Sequence, residues 1–546
     1  MASIAATVKR VALSLALFGF ASPASAGPLD EMPLARWAKL REAERYQLNV
    51  AEKFYREKQY KVAADEYEKF LKLYETSEGA SYAQMMWSHC QVHGRKQNTA
   101  IKDGYQSVID YFPESPEAPL AAFLIGRTYK EMGDLPAAKK AYTKAVSTYP
   151  KHFATVLARF DLVEIATKDK DEATRVSLLR ELTYDVERKG STADECRRAA
   201  WLLTQHYFRA GDFAEGMKAL TTTCKEDDLP TYLMRGDLGR LPESISELTG
   251  SQDMAVKQRG EKLADAAAGW LQEQVTADLK DEKRKPRAIQ CWNAIADVRQ
   301  AARQPDKQKA VYEQMLAALG ADDTILGRLA QWYKAQNQWE QARATFAKYK
   351  DANEGQGQIA YSFLEQQKFD EATAIYRKLA VQDDKNVSKW LGSAAYTQRR
   401  AGKADQAIAI YRELLTADAA KANDWHWEIA QTLYDFGRWK EAITAYRGTD
   451  RFPTNYQHMA MANRRLKQFD EAIALYQQIL VGHPATASWA LIQIGYTHEE
   501  AGRSEAAIKS FKQVCDRFPK SPQGSEAHSH LNTKYKITVT LGGAKD

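Results

Sequence analysis

The sequence predicts an all-α fold, a right-handed solenoid of stacked helical hairpins, because three columns of residues recur in register. An alanine column repeats at intervals of 30 or 35 residues, with a small residue twelve positions before each alanine and an aromatic residue four positions after it. Apolar or small residues three and four apart around these positions indicate two helices in each repeat. Amphipathic helices without a repeat would not keep these three residue types at constant spacings in six successive segments. The columns are Ala342, Ala372, Ala407, Ala442, Ala472 and Ala507; Ala330, Ala360, Ala395, Ala430, Ala460 and Gly495; and Phe346, Tyr376, Tyr411, Tyr446, Tyr476 and Phe511.

Glycine and proline mark the limits of the two helices in each repeat. In the last repeat Gly502 precedes Ala507 by five residues and permits a tight connection, and Pro519 ends the second helix. The same offsets hold around Ala138. This pattern resembles the tetratricopeptide repeat, and the resemblance covers about two-thirds of the chain. It implies a solenoid of that type, in which each repeat buries its apolar face against its neighbours.

The first residues have the pattern of a secretory signal peptide. Two basic residues precede the apolar run Val11–Phe20, and small residues at Ala24 and Ala26 offer a cleavage site before Gly27. The run is too short to cross a bilayer, which needs about 20 apolar residues. No later segment is long and apolar enough to do so. We therefore expect an exported protein, periplasmic or extracellular, without a transmembrane segment.

The rest of the chain divides into segments that match the repeat pattern to different degrees. Residues 27–225 are predicted to form an N-terminal solenoid of weaker repeats, and residues 291–524 a regular C-terminal one. Between them, residues 226–290 lose the pattern and are interpreted as an irregular helical joint between two superhelical halves. Degenerate repeats running straight through remain an alternative. Residues 525–546 are expected to form a polar capping helix and a mobile tail.

Charge and motifs argue against nucleic-acid binding and catalysis. The formal net charge is +6, and removal of the signal peptide leaves a nearly neutral chain. The sequence has no phosphate loop, metalloprotease motif or nucleophile elbow. Residues 355–360 match a dinucleotide-binding pattern but open a helix where a strand should precede them. His89 and His93 share a helix face, yet no third metal ligand is evident. No enzyme and no cofactor are predicted.

One pair among the five cysteines is a candidate disulfide. Cys196 precedes the first helix of a hairpin that turns at Gly211, and Cys224 ends the second helix. Antiparallel helices of equal length would bring these ends together. A bridge would stabilise the fold by about 3–4 kcal/mol in the chain-entropy model. Two separately buried thiols are the alternative.

The family resemblance implies that the first helix of each repeat lines a concave, partner-binding groove. The lining positions lie fifteen, eleven, eight and seven residues before each alanine, on one helix face. Aromatic and arginine side chains carry much of the energy of interfaces, and arginines suit carboxylates. Tyrosines that pack on the next repeat and solvated arginines are the alternative interpretation. The candidate groove residues are Tyr361, Tyr396, Arg399, Arg400, Trp427, Tyr434, Arg464, Arg465 and Tyr496, with Met461 beside them.

Two segments, DYFPESPEAP and DRFPKSPQGS, resemble repeats of bacterial envelope proteins such as the Tol–Pal coordinator of cell division and the outer-membrane β-barrel assembly lipoprotein. The resemblance implies a non-catalytic envelope scaffold that binds other envelope proteins or extended peptide segments, including acidic ones. Its oligomeric state is open. The alternative function is a glycan-handling accessory protein for polysaccharide export or peptidoglycan machinery, with Trp427 and Trp489 as stacking candidates.

Overall fold

The structure is a computed structural model that describes residues 32–188 and 190–542. The predicted signal peptide, residues 1–26, lies outside the described residues. The predicted all-α solenoid of the tetratricopeptide type is confirmed: within each compact unit consecutive helices pair as hairpins that pack on one another, and the described residues form no β-strand. The chain divides into two compact units between Val311 and Tyr312.

The described part of the N-terminal unit begins with a one-turn helix and continues as a series of hairpins. Two of its helices continue into or out of π-helical turns, at Ala100–Tyr105 and Glu181–Asp185. Its helices are α1 (Leu34–Trp37), α2 (Glu42–Arg56), α3 (Tyr60–Leu73), α4 (Ala80–His93), α5 (Gln97–Thr99), α6 (Gln106–Tyr111), α7 (Glu117–Glu131), α8 (Leu135–Thr148), α9 (Phe153–Lys168), α10 (Glu172–Arg180), α11 (Ala193–Ala210), α12 (Phe213–Leu220), α13 (Leu229–Met234), α14 (Leu241–Thr249), α15 (Met254–Asp278) and α16 (Lys285–Ala301).

The next helix, α17 (Pro305–Leu319), crosses the boundary between the units, and the regular repeats follow it. The second helices α19 and α25 are shorter than the others, which accounts for the 30-residue intervals in the alanine column. The helices of the repeats are α18 (Asp323–Ala335), α19 (Trp339–Phe346), α20 (Ala352–Glu365), α21 (Phe369–Gln382), α22 (Val387–Arg400), α23 (Ala404–Ala417), α24 (Ala422–Asp435), α25 (Trp439–Arg447), α26 (Thr454–Arg465), α27 (Phe469–Gly482), α28 (Ala487–Glu500), α29 (Ser504–Arg517) and α30 (Pro522–Tyr535).

The three predicted columns form the core of the C-terminal unit. All six residues of the alanine column are fully buried, and the aromatic column is at most 4% exposed. The small residues let the two helices approach closely, and the rings fill the space next to them. At Gly495 the approach is too close for a larger residue, because an added Cβ would lie 2.6 Å from the Phe511 ring.

The turns between paired helices share one backbone conformation, whichever residue occupies them. The position five residues before the alanine has a positive φ at Gly402, Gly437 and Gly502, and also at Gln367 and Lys467. The N-terminal unit repeats this turn at Lys58, Arg95, Gly133, Lys170, Gly211 and Arg303.

Residues 226–290 contain α13 to α15, two 3₁₀ turns and the start of α16. Between Gly211 and Arg303 the positive-φ residue is Arg240, which precedes α14 and does not connect a hairpin. The helix α15 is 25 residues long, longer than the helices of the regular repeats. The interpretation of this segment as a joint between two halves stays a prediction.

The C-terminal end is covered by α30 and by the chain that follows it. The tail was expected to be mobile, but Ile537 and Val539 pack against the apolar cluster of the last repeats. The amide of Gly542 donates a hydrogen bond to the carbonyl oxygen of Cys515 at 3.2 Å. The tail thus shields apolar surface that the last hairpin of a solenoid would otherwise expose.

Candidate functional site: the first-helix surface

We define the first-helix surface as the faces of α18, α20, α22, α24, α26 and α28 that carry the predicted lining positions. In three repeats the position eleven residues before the alanine carries an exposed large hydrophobic side chain. Tyr361 is 46% exposed, Tyr396 44% and Met461 39%. The equivalent Tyr496 is half-buried, and its hydroxyl donates to Glu526 of α30 at 2.7 Å. Large exposed side chains thus recur at one repeat position.

The predicted groove residue Arg399 is an inter-repeat contact. It lies on α22 and donates to Glu428 of α24 at 3.1 Å, and it also pairs with Asp435. Its side chain is only 21% exposed. Although burial disfavours its charge, hydrogen bonding to Asp435 raises the pKa of Arg399.

Arg464 repeats this arrangement one pair of repeats later. It donates to Gln493 of α28 at 2.8 Å and to Glu500 at 3.0 Å, and its side chain is 18% exposed. Lys334 of α18 likewise pairs with Glu365 of α20. We call these contacts the first-helix ladder. It joins the repeats two by two, because each cation pairs with a carboxylate on the next first helix.

A second ladder runs along the hairpin turns and was not predicted. Lys403 pairs with Asp370 at 2.6 Å, Arg438 with Asp405 at 2.5 Å, and Arg503 donates to Asp470 at 3.0 Å. In each pair the basic residue follows its partner by 33 residues. That constant offset between unlike charges is the sequence signal that could have revealed it.

The two arginines next to the ladder behave differently. Arg400 and Arg465 are exposed, and no carboxylate in the described chain forms an ion pair with either of them. Arg400 donates to the hydroxyl of Tyr396 at 3.2 Å and lies 6.0 Å from the centre of its ring. The structure therefore separates the four predicted arginines into two that hold repeats together and two that face solvent.

Trp427 and Tyr434 form an aromatic cluster with the next repeat. Their rings lie 5.2 and 5.8 Å from that of His458, which stacks on Tyr446 at 5.1 Å. The guanidinium of Arg451 lies 4.9 Å from the Trp427 ring. Burial lowers the pKa of His458. Both predicted groove aromatics are therefore half-buried contacts between repeats.

Trp489, the other residue predicted to stack on a glycan, packs edge-on against Tyr476 at 5.6 Å. On the same helix Glu499 accepts hydrogen bonds from His530 at 2.8 Å and from Tyr535 at 2.5 Å, and pairs with Lys534 at 3.1 Å. These contacts fix the capping helix to the last repeat.

Cys196 and Cys224 are free thiols in the structure, the first buried and the second half-buried. The Cys224 thiol donates to the carbonyl oxygen of Leu220 at 3.6 Å. Burial raises the pKa of both thiols, which reduces their reactivity near neutral pH. Their pairing stays a prediction that thiol counting on the oxidised protein tests.

His89 and His93, which were considered as metal ligands, contact aromatic side chains in the structure. His89 lies 3.0 Å from the hydroxyl of Tyr105, and His93 stacks on Tyr60 at 4.1 Å. Within residues 32–188 and 190–542, no three His, Cys, Asp or Glu side chains converge as a metal site would require. Nor does any helix in that part of the chain have the length and apolar character needed to cross a membrane.

Family models of the tetratricopeptide repeat match residues 393–456 and 459–522, residues 121–152, and residues 328–353. These segments are tetratricopeptide repeats. Such repeats typically form non-catalytic scaffolds for protein–protein interaction. A comparison with curated proteins gave no match.

Several solved structures are similar at low identity. Naa15/Naa10 bound to HypK-THB is 14% identical, covering 90% of this chain and 78% of that one, with a TM-score of 0.35. The C-terminal part of a TPR repeat-containing protein from Cytophaga hutchinsonii is 15% identical over 42% of this chain and 97% of its own, with a TM-score of 0.31. Yeast Tom70 is 13% identical over 91% and 98%, with a TM-score of 0.28.

Proposed function

We propose that this protein is an exported, non-catalytic scaffold of the bacterial cell envelope that binds partner proteins along the first-helix surface of its C-terminal unit. One observation carries the proposal: Tyr361, Tyr396 and Met461 are exposed at the same position of three different repeats. Tyrosine and methionine are enriched at protein–protein interfaces, so a row of them on one helix face is a candidate contact surface for a partner. Each of these three repeats would contribute one such contact to an extended partner.

Export is supported by the sequence alone. The basic residues, the apolar run Val11–Phe20 and the small residues before Gly27 fit a signal peptide. Fractionation of cells that produce the full chain, followed by N-terminal sequencing, tests this. A mature protein that starts near Gly27 in the periplasmic or secreted fraction is the expected result. An uncleaved cytoplasmic protein would contradict it.

Protein is favoured over glycan as the ligand. Trp427 and Trp489 are half-buried against other side chains, so each offers less surface to a sugar than an exposed ring would. The exposed tyrosines are separated by a whole repeat, whereas a sugar ring needs a platform within a few ångströms. The observations therefore support a ligand that runs across several repeats.

Replacement of the exposed array tests the scaffold proposal. The triple variant Tyr361→Ala, Tyr396→Ala, Met461→Ala should lower the affinity for partners about tenfold. The matched control is Val381→Ala with Val481→Ala, because these valines are 85% and 83% exposed on the second helices α21 and α27. Both tagged chains are produced in the same cells, and co-purified proteins are quantified after circular dichroism confirms equal helicity. Equal recovery with both variants would contradict the proposal.

A further inference from the structure

The C-terminal unit contains two equivalent copies of one charged arrangement. Residues 393–456 and 459–522 match the same repeat model. At a spacing of 65 residues, Arg399 corresponds to Arg464 and Arg400 to Arg465. The neighbouring exposed side chain is Tyr396 in the first copy and Met461 in the second.

In each copy the two arginines have different roles. Arg399 and Arg464 pair with carboxylates of the next repeat, and their side chains are about one-fifth exposed. Their charge is therefore already neutralised. Arg400 and Arg465 are exposed, and no carboxylate of the described residues pairs with them. An incoming carboxylate can reach these two without breaking a contact between repeats.

The surroundings of each free arginine restrict the kind of anion that fits. Tyr396 and Met461 lie one helical turn before Arg400 and Arg465, so each arginine has an apolar neighbour on the same face. The ladder carboxylates Asp435 and Glu500 are already paired with Arg399 and Arg464. One carboxylate next to one apolar group fits each exposed arginine.

We propose, on the basis of the scaffold function above, that Arg400 and Arg465 are two equivalent subsites for an extended acidic peptide segment. Each arginine binds one carboxylate of the segment, and Tyr396 or Met461 contacts an apolar residue beside that carboxylate. The subsites are two repeats apart, on the order of 20 Å at the usual spacing of packed helices. One extended segment spans that distance with about seven residues.

The two copies differ at several positions around these arginines, for example at Tyr434 and the corresponding Glu499, and one of the differences lies in the ladder. Arg399 contacts Glu428, whereas the corresponding Arg464 contacts Gln493. Each subsite therefore presents the same exposed arginine in a different charged environment.

Fluorescence polarisation with a defined probe tests the assignment. The probe is a fluorescein-labelled peptide of repeating Glu-Leu-Ser units, about 20 residues long so that it spans both subsites. Arg400→Ala and Arg465→Ala should each weaken its binding to the full-length protein about threefold. The double variant should lose more than either single one, and lysine at both positions should restore part of the affinity.

A matched control separates these subsites from general positive charge. Arg412 and Arg447 are exposed on the second helices α23 and α25, so Arg412→Ala with Arg447→Ala removes the same charge from another face. This control should bind the probe as the native protein does. Equal losses in the control and in the double variant would overturn the assignment, as would undiminished binding by the double variant.

A second probe, with Gln in place of Glu, tests whether the carboxylates matter. It should bind at least fivefold more weakly than the acidic probe. Equal binding of the two probes, or no binding of the acidic probe by the native protein, would overturn the acidic specificity. The scaffold proposal would still stand in that case, because recovery of cellular partners by the Tyr361, Tyr396 and Met461 variant measures it independently.

Discussion

At the residue scale, the hairpin turns show that backbone geometry is kept even where the sequence does not favour it. Gly402, Gly437 and Gly502 adopt a left-handed conformation that glycine reaches without strain. Gln367 and Lys467 adopt the same conformation, which disfavours residues with a Cβ. The packing of the paired helices must offset the conformational free-energy cost of these two residues.

Lys467→Gly should therefore stabilise the protein. Its φ of 61° costs an L-residue about 1 kcal/mol, and glycine removes that cost at an exposed position, so the free energy of unfolding should rise by about 0.5–1 kcal/mol. Chemical denaturation measures the change. Gly502→Ala is the reciprocal control and should destabilise by a similar amount. A loss of stability in Lys467→Gly would contradict this account of the turn.

His458 makes stability depend on pH. Burial among Trp427, Tyr434 and Tyr446 lowers its pKa, so the folded protein favours the neutral ring. The stabilisation is complete above the unfolded-state pKa of about 6.5 and is lost as the pH falls below it. The nearby Asp435 acts in the opposite direction but does not outweigh burial.

His458→Phe keeps a stacked ring that cannot be protonated. The melting temperature of the native protein should fall between pH ~7.5 and ~5.5, and the variant should lose less over the same range. His152 and His498, whose pKa values burial also lowers, account for part of the remaining loss. Identical pH profiles of the variant and the native protein would show that His458 does not contribute.

At the element scale, the first-helix ladder explains why arginines at predicted lining positions are not all available to a ligand. A helical spacing places a side chain on a face, but it does not say which group lies opposite on the next helix. The alternation of charge between Arg399, Asp435, Arg464 and Glu500 is visible in the sequence. This alternation predicts ion pairs between these residues only when neighbouring first helices are known to lie side by side.

A double-mutant cycle on Arg464 and Glu500 measures the ladder. Arg464→Ala, Glu500→Ala and the double variant should give a coupling free energy of about 0.5–1 kcal/mol, because the Arg464 side chain is largely shielded from solvent. The control cycle uses Arg377 and Glu413, which are 45% and 46% exposed on second helices. Its coupling should be smaller because water screens the pair. A larger value for the exposed pair would refute the role of the ladder.

At the scale of the whole molecule, the features that could be predicted from the sequence are those that recur in successive repeats. Six alanines in register specify the hairpins and the buried aromatic column, and the family match confirms the repeats. Features that occur once were not predictable. Trp427 is half-buried because its ring packs against the ring of His458 in the following repeat. The tail packs through Ile537 and Val539 on apolar surface of the last repeats. That surface becomes evident only when the repeats are assembled.

Site-specific photo-cross-linking tests the central claim, that the first-helix surface of stacked repeats is where partners bind. A benzophenone side chain replaces Tyr396 in one full-length protein and Val381, exposed on a second helix, in another. After irradiation of intact cells, the account predicts a discrete cross-linked protein from position 396 and none, or far less, from position 381. Cross-links from position 381 alone, or equal yields of the same product from both, would contradict it.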